Sequence, residues 1–166
     1  MEFKSSVDYQ ERIDQLVGDR NPHDILSSTL AQFHHLLAGL EEEKARAVPV
    51  GSWSVNDVLQ HLVDAEMVNG YRLRMALSSY RPQLPGFNQD YWVERFNTDR
   101  TLSKILADWE MLRAYNLRLI QSINGDELNK EYLHEERGVE TVYDLLHLIA
   151  GHDLIHLQQV KRLLNS

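Results

Sequence analysis

Four stretches of this chain repeat apolar residues every three or four positions, which is the period of an α-helix with one buried face. They lie at about residues 22–40, 54–79, 101–123 and 141–164. Each is long enough to form one side of a shared core, and 166 residues are enough for one domain with a sizeable core. The pattern therefore predicts an all-α protein built as a four-helix bundle.

Capping and turn residues separate these stretches. Asn21 precedes Pro22 at the start of the first helix, and Ser54 with Asp57 three residues later resembles a capping box at the start of the second. Thr141 is the predicted N-cap of the fourth helix. The acidic run Glu41 to Glu43 leads into a predicted loop between the first two helices, which passes through Pro49 and Gly51. The first, second and fourth predicted helices therefore have a defined start.

The segment "YRPQLPGFNQDYW" between the second and third helices interrupts the helical pattern with Pro82, Pro85 and Gly86. It is too long for a tight hairpin, so it predicts a long crossover between helices two and three. No composition shift marks a domain boundary. We therefore expect one domain over residues 1–166, with an N-terminal lead at residues 1–20 and the bundle at residues 21–166.

Composition excludes several functions. The net charge of −8 disfavours a grip on nucleic acid or on an anionic membrane, because both require clustered cations. The absence of cysteine excludes disulfides, cysteine ligands and a cysteine nucleophile. No uncharged run reaches the roughly 18 residues of a membrane span, and the N-terminal stretch lacks the apolar core of a secretion signal. The predicted location is the cytoplasm.

The stretch "GHDLIHLQQV" places His152 and His156 four residues apart on the fourth helix. At 100° per residue both fall in the middle of the apolar stripe, one turn apart, where two imidazoles can reach one ion. His147 falls on the outer face, and Asp153 falls at the flank. The alternative is a pair of inert core histidines, but burial without partners costs several kcal/mol. The pattern favours a metal site.

A third ligand must come from upstream. A zinc-protease H-E-x-x-H motif would have glutamate where this chain has Asp153, and no histidine follows His156. His61, on the apolar side of the second helix, is the favoured third ligand. Asp64 lies on the same side and is predicted to be either a catalytic residue or a solvent-exposed carboxylate. Four other histidines are predicted to lie in loops or at helix flanks and are less favoured as ligands: His23, His34, His35 and His134.

Three histidines without a fourth protein ligand suggest catalysis more than scaffolding. Structural zinc sites close the coordination shell with four protein ligands, whereas a three-histidine site leaves a position for water or substrate. Zinc and nickel are the expected ions, since neutral imidazoles do not discriminate sharply between them. The sequence therefore predicts one divalent ion held by His61, His152 and His156.

Three segments carry a resemblance to a known family: "GSWSVNDVLQHLVDAE", "LPGFNQDYW" and "TVYDLLHLIAGHDLIHLQQV". From about Asn21 to its end, the chain resembles the DinB-like superfamily, also called DinB/YfiT-like metalloenzymes. The resemblance implies a four-helix bundle of that type with a divalent metal on three histidines. By position these are again His61, His152 and His156.

Three kinds of function are consistent with this resemblance. Some relatives are metal-dependent transferases or isomerases that use a small thiol, so the chain is expected to transfer a thiol cosubstrate onto a small electrophile. Since the chain has no cysteine, that thiol would have to be a small molecule. Metal-dependent hydrolysis is an alternative. So is a non-catalytic stress-response protein that binds a metal or small ligand in its pocket or acts as a homodimer.

Overall fold

The computed structural model describes residues 6–48, 52–96 and 100–165. Within these ranges the chain forms seven α-helices: α1 Ser6–Val17, α2 Pro22–Leu37, α3 Glu42–Arg46, α4 Val55–Ser78, α5 Gln89–Phe96, α6 Leu102–Ser122 and α7 Val142–Leu164. It also forms three short strands: β1 Gln83–Leu84, β2 Glu131–His134 and β3 Gly138–Thr141. The predicted loop residues Pro49 and Gly51 lie outside the described residues.

The four long helices α2, α4, α6 and α7 form the bundle. Helices α2 and α4 each pack against both α6 and α7. All four coincide with the predicted stretches to within a few residues at each end. The prediction of an all-α four-helix bundle is confirmed, and no helix of the described ranges combines the length and hydropathy that crossing a membrane requires.

Full capping boxes begin the two helices that carry the candidate ligands. At the start of α4, the Ser54 hydroxyl accepts a hydrogen bond from Asp57 N at 3.1 Å, and the Asp57 carboxylate accepts one from Ser54 N at 2.9 Å. Thr141 and Asp144 repeat this arrangement at the start of α7. Because the boxes satisfy free backbone N–H groups, they define where both helices begin.

The N-terminal lead contains a helix that the sequence analysis did not assign. Helix α1 packs against α7, and its Ile13 is fully buried. A Cβ atom on Gly151 of α7 would come within 2.5 Å of the Ile13 side chain, so the glycine permits this close packing. Helix α1 has only 12 residues, and a helix of that length is marginal in isolation. Its stability therefore depends on tertiary contacts.

A small sheet lies beside the bundle. Strand β1 pairs with β2 in parallel, with Leu84 opposite His134, and β2 pairs with β3 in an antiparallel hairpin. The segment predicted as an irregular crossover thus contains β1 and α5. Two strand residues are too few for a sequence period to reveal, so the pairing partner decides this conformation. The sheet positions His134 next to the crossover.

Candidate metal centre

Helices α4 and α7 bring three histidines to one point. The Nε2 atoms of His61 and His152 lie 2.9 Å apart, and those of His152 and His156 lie 3.1 Å apart. One ligand nitrogen from each residue lies within 4.8 Å of the others. In a tetrahedral zinc site with Zn–N bonds of about 2.0–2.1 Å, neighbouring nitrogens are about 3.3 Å apart. The cluster fits one ion, and its members are the three residues that the helical wheels select.

The hydrogen bond of His156 indicates which nitrogen presents its lone pair. His156 Nδ1 lies 2.7 Å from Gln159 Oε1, an oxygen that can only accept. This partner assigns the proton to Nδ1 and leaves Nε2 free to bind a cation. Three Nε2 atoms that face one another cannot all be satisfied by hydrogen bonds among themselves. A cation at their common point would satisfy them.

The three rings are kept neutral by their surroundings. Burial, with a further contribution from the charge of His156, lowers the pKa of His61 to about 3. Burial lowers the pKa of His156 to about 4, and it lowers the pKa of His152 well below its ordinary value. Metal ligation requires the unprotonated imidazole. At neutral pH all three rings are therefore in the protonation state of ligands.

Aromatic residues form the wall around His61. The Trp53 ring centroid is 5.2 Å from that of His61, and the Phe87 ring stacks at 6.3 Å. Phe87 comes from the crossover and is supported by Trp92 at 5.1 Å. The crossover thus places apolar surface next to the imidazoles. Such surface lowers the local dielectric constant and strengthens electrostatic interactions with a bound group.

A cavity of about 890 Å³ opens beside the histidines. Its walls come from α1, α4, the crossover, β2 and α7. The volume is within the range of about 300–1,000 Å³ that small-molecule sites occupy. Cationic residues on its walls outnumber acidic ones, and they are Arg12, Arg72, Arg137 and Arg162 against Asp90 and Glu136. The cavity is suited to a small molecule with negative charge.

Asp64 is buried, so the solvent-exposed alternative for this residue is wrong. Its side chain accepts a hydrogen bond from Gln60 Nε2 at 2.9 Å, and its second oxygen is buried without a partner among the described residues. Burial raises its pKa. Asp64 is not one of the three clustered ligand residues, and it is not among the described residues that line the cavity. Its catalytic role stays a prediction.

The less favoured histidines also have defined positions. His147 pairs with Asp14 at 3.0 Å on the outer side of α7, and His34 pairs with Glu110 at 2.6 Å. His134 differs from its predicted position in an open loop, because it ends strand β2 and is only 2% exposed. His23 and His35 also lie outside the cluster of ligand atoms.

A buried ion-pair network next to the histidines was missed by the sequence analysis. Arg113 of α6 donates to both oxygens of Asp153, at 2.8 and 3.1 Å, and to Glu66 at 2.9 Å. Thr29 donates to Asp153 at 2.6 Å. The helical wheel predicts that Asp153 lies at the flank of the apolar stripe of the fourth helix and does not bind the ion. In the structure Asp153 is not part of the histidine cluster. Arg113 could have been noticed as a charge adjoining the apolar stripe of α6, but its partners come from other helices.

Comparison with known proteins identifies the family. The model of the DinB superfamily matches residues 25–160, which is most of the chain. The chain belongs to the DinB superfamily. The resemblance carried by the histidine segments is thereby confirmed. The match covers the bundle helices α4, α6 and most of α2 and α7.

Individual DinB superfamily relatives are distant. A protein of Oceanobacillus iheyensis named "Putative metal-dependent hydrolase OB0413" is 24% identical over 129 residues, which are 76% of this chain and 73% of that one. A Bacillus cereus protein named "Putative metal-dependent hydrolase" is 26% identical over 114 residues, and the match spans 66% of its length. The solved structure of YfiT from Bacillus subtilis, described with an unusual four-helix bundle topology, superimposes with a TM-score of 0.79 at 18% identity. It covers 99% of this chain and 90% of YfiT, and it shows a shared fold.

Proposed function

We propose that this DinB superfamily protein is a metal-dependent enzyme whose His61, His152 and His156 hold one divalent ion, zinc or nickel. The observation that carries the proposal is the convergence of three neutral Nε2 atoms at the wall of a cavity. Three imidazoles leave coordination positions open, as catalytic sites do and structural sites do not. The cavity supplies space for a small substrate next to those positions.

The proposed reaction is transfer of a small thiol onto an electrophile. When bound, the ion would lower the pKa of a thiol or water molecule at an open position and so supply a nucleophile. A free thiol has a pKa of about 8.5, so it loses its proton more easily than water and depends less on a protein base. Within the described residues no carboxylate joins the cluster of ligand atoms. The neutral imidazoles, Trp53 and Phe87 would hold the thiol in a site of low polarity.

Metal-dependent hydrolysis is the second candidate, and the names of two relatives favour it. A water nucleophile benefits more from a protein base. The acidic residues that line the cavity are Asp90 and Glu136. Both are exposed, whereas a carboxylate that serves as a base near neutral pH is usually buried. Because water depends more on such a base than a thiol does, we favour thiol transfer over hydrolysis.

The test begins with metal analysis of untagged protein, followed by loading with zinc or nickel. The loaded protein is then incubated with glutathione and 1-chloro-2,4-dinitrobenzene, where transfer forms a thioether and releases chloride and a proton. In a parallel assay, 4-nitrophenyl acetate and water report hydrolysis. Thiol-dependent turnover that chelation abolishes supports the first candidate, and turnover without thiol supports the second.

A screen of other low-molecular-weight thiols and electrophiles follows if glutathione is inactive. Full metal occupancy without turnover in any of these assays would overturn the enzyme proposal. The alternative would then be a protein that binds a metal or a small ligand without catalysis.

A further inference from the structure

The cavity contains a buried guanidinium, Arg72, that forms no salt bridge with a carboxylate among the described residues. Arg72 lies on α4 and is only 5% exposed. It donates to Asn69 Oδ1 at 3.2 Å and to Pro85 O at 2.7 Å, and both acceptors are neutral. Its Nε is buried and has no hydrogen-bond partner among the described residues. A buried cation normally pairs with a carboxylate, so the Arg72 guanidinium has room for an anion as a further hydrogen-bond acceptor.

His134 presents a second unpaired donor to the same cavity. Its Nδ1 accepts a hydrogen bond from Glu136 N at 3.2 Å, and this bond assigns the proton to Nε2. The Nε2 atom is buried and has no partner within the described chain. The residue is 2% exposed and lines the cavity. Two buried N–H donors, from Arg72 and His134, are therefore left unsatisfied.

The crossover brings these two donors together. Arg72 donates to the carbonyl of Pro85, and the preceding residue, Leu84, pairs with His134 in the small sheet. Arg137 also lines this part of the cavity. Glu140 accepts two hydrogen bonds from Arg137 and compensates its charge, whereas no carboxylate of the described residues accepts a hydrogen bond from the buried Arg72. Burial and, to a smaller extent, the nearby Arg137 charge lower the pKa of Arg72, and the charges of Glu140 and Glu136 oppose only part of this shift.

The position of Arg72 relative to the histidines indicates the length of a ligand. Arg72 follows His61 by 11 residues on α4, so both side chains leave the same face, about three turns or 16 Å apart along the axis. Both residues line the one cavity. A molecule that places a reactive group at the histidines and extends along α4 would bring its far end to Arg72 and His134.

We propose that Arg72 and His134 form a subsite for an anionic group, a carboxylate or a phosphate, at the end of the ligand remote from the histidines. The subsite rests on the proposed function for the identity of the reactive end. It assigns the substrate class: an elongated small molecule with a terminal negative charge. The anion would accept from Arg72 Nε and His134 Nε2 and satisfy both donors.

The test compares two ligands that differ in charge at the far end. Zinc-loaded protein is titrated by calorimetry with glutathione and with its diethyl ester, which keeps the thiol and lacks both carboxylates. Wild type is expected to bind glutathione at least about tenfold more tightly than the diethyl ester. A hydrogen bond to a charged group contributes more than the roughly 1.4 kcal/mol that corresponds to a tenfold difference in affinity. Arg72→Gln should reduce this ratio to near one and leave the affinity for the ester unchanged.

Controls separate the subsite from general charge and from folding. Arg162→Gln removes an exposed cation of the same cavity, and it should leave most of the preference intact. Arg72→Lys, which keeps the charge, should restore part of it. His134→Phe provides an independent variant if Arg72→Gln does not fold. It should weaken the binding of glutathione but not the binding of the ester. A second arm titrates benzoate and phenyl phosphate into wild type and Arg72→Gln, and the anion that loses affinity identifies the preferred group.

The outcomes distinguish this proposal from the proposed function because calorimetry does not require turnover. An inactive protein that shows the Arg72-dependent preference would retain the subsite and lose the enzymatic proposal. An active enzyme that binds both thiols equally, or whose preference survives in both Arg72→Gln and His134→Phe, would overturn the subsite.

Discussion

His61 Nε2 and His152 Nε2 lie 2.9 Å apart although the two residues are separated by 91 positions in the chain. The contact depends on the packing of α4 against α7, the last long helix. Each of these two helices starts at a capping box. The site therefore exists only after the chain has folded, and an ion that binds it must stabilise the folded state.

Metal removal should lower the melting temperature without unfolding the bundle at room temperature. A ligand present at 100 times its dissociation constant stabilises the folded state by about 2.7 kcal/mol. For a chain of this size, that corresponds to a shift of about 5–10 °C. Thermal unfolding followed by circular dichroism, with and without chelator, measures it. The apolar clusters around Trp109 and Tyr132 should keep the helices intact, so a loss of helical signal on chelation at 25 °C would make the ion structural.

Replacement of one ligand should remove metal and activity together. His152→Ala leaves two imidazoles, which hold a divalent ion much more weakly. Metal content and thiol-dependent turnover should both fall at least about tenfold, while the helical content stays close to wild type. Mass spectrometry of the metal, run in parallel with the transferase assay, tests this. His35→Ala is the matched control because His35 is exposed and lies outside the cluster, and it should change neither quantity.

Asp64 can be tested by removing its charge and keeping its shape. If Asp64 is a catalytic residue, Asp64→Asn should lower turnover at least about tenfold and leave the metal content unchanged. The asparagine oxygen can still accept from Gln60 Nε2, so the fold should persist. Kinetics on metal-loaded protein provide the measurement. Turnover within twofold of wild type would limit the role of Asp64 to its contact with Gln60.

The buried network next to the site should be highly sensitive to the loss of its cation. Arg113→Leu would leave the carboxylates of Glu66 and Asp153 buried without their partner, which typically costs about 3–5 kcal/mol. Urea unfolding measures the loss. Arg118→Leu is the matched control, since Arg118 lies on the same helix and is exposed, and its effect should stay below about 1 kcal/mol. Equal effects of the two substitutions would contradict a structural role for the network.

The sequence predicts the ligand cluster because its members follow a short-range rule. His152 and His156 are one turn apart, and His61 lies on the apolar face of a helix that must pack against theirs. The Arg113 network follows no such rule, since its partners come from α2, α4 and α7. The position of His134 depends on a strand of two residues, β1, that exists only through its pairing. The Arg113 network and the position of His134 could not be predicted from the sequence because both depend on partners that are distant in the chain.

The stability of the metal-free protein should fall as the pH drops below about 6.5. The pKa of His61 is lowered to about 3 and that of His156 to about 4, from an ordinary value of 6.5. Well above pH 6.5 these rings are unprotonated in both the folded and the unfolded state, so they contribute no pH dependence. Below it the unfolded chain binds protons that the folded chain excludes, and each ring lowers the unfolding free energy by up to about 1.4 kcal/mol per pH unit.

This loss should continue until the folded rings begin to titrate near pH 4. Carboxylates also titrate below pH 5, so the informative quantity is the difference between wild type and His61→Gln, whose side chain does not titrate. Between pH 7 and pH 5 the metal-free wild type should lose about 1–2 kcal/mol more than this variant. Urea unfolding at each pH, with chelator present, measures the difference. Parallel pH dependence in the two proteins would show that folding does not lower the pKa of His61, and it would contradict the burial of this ring in the folded state.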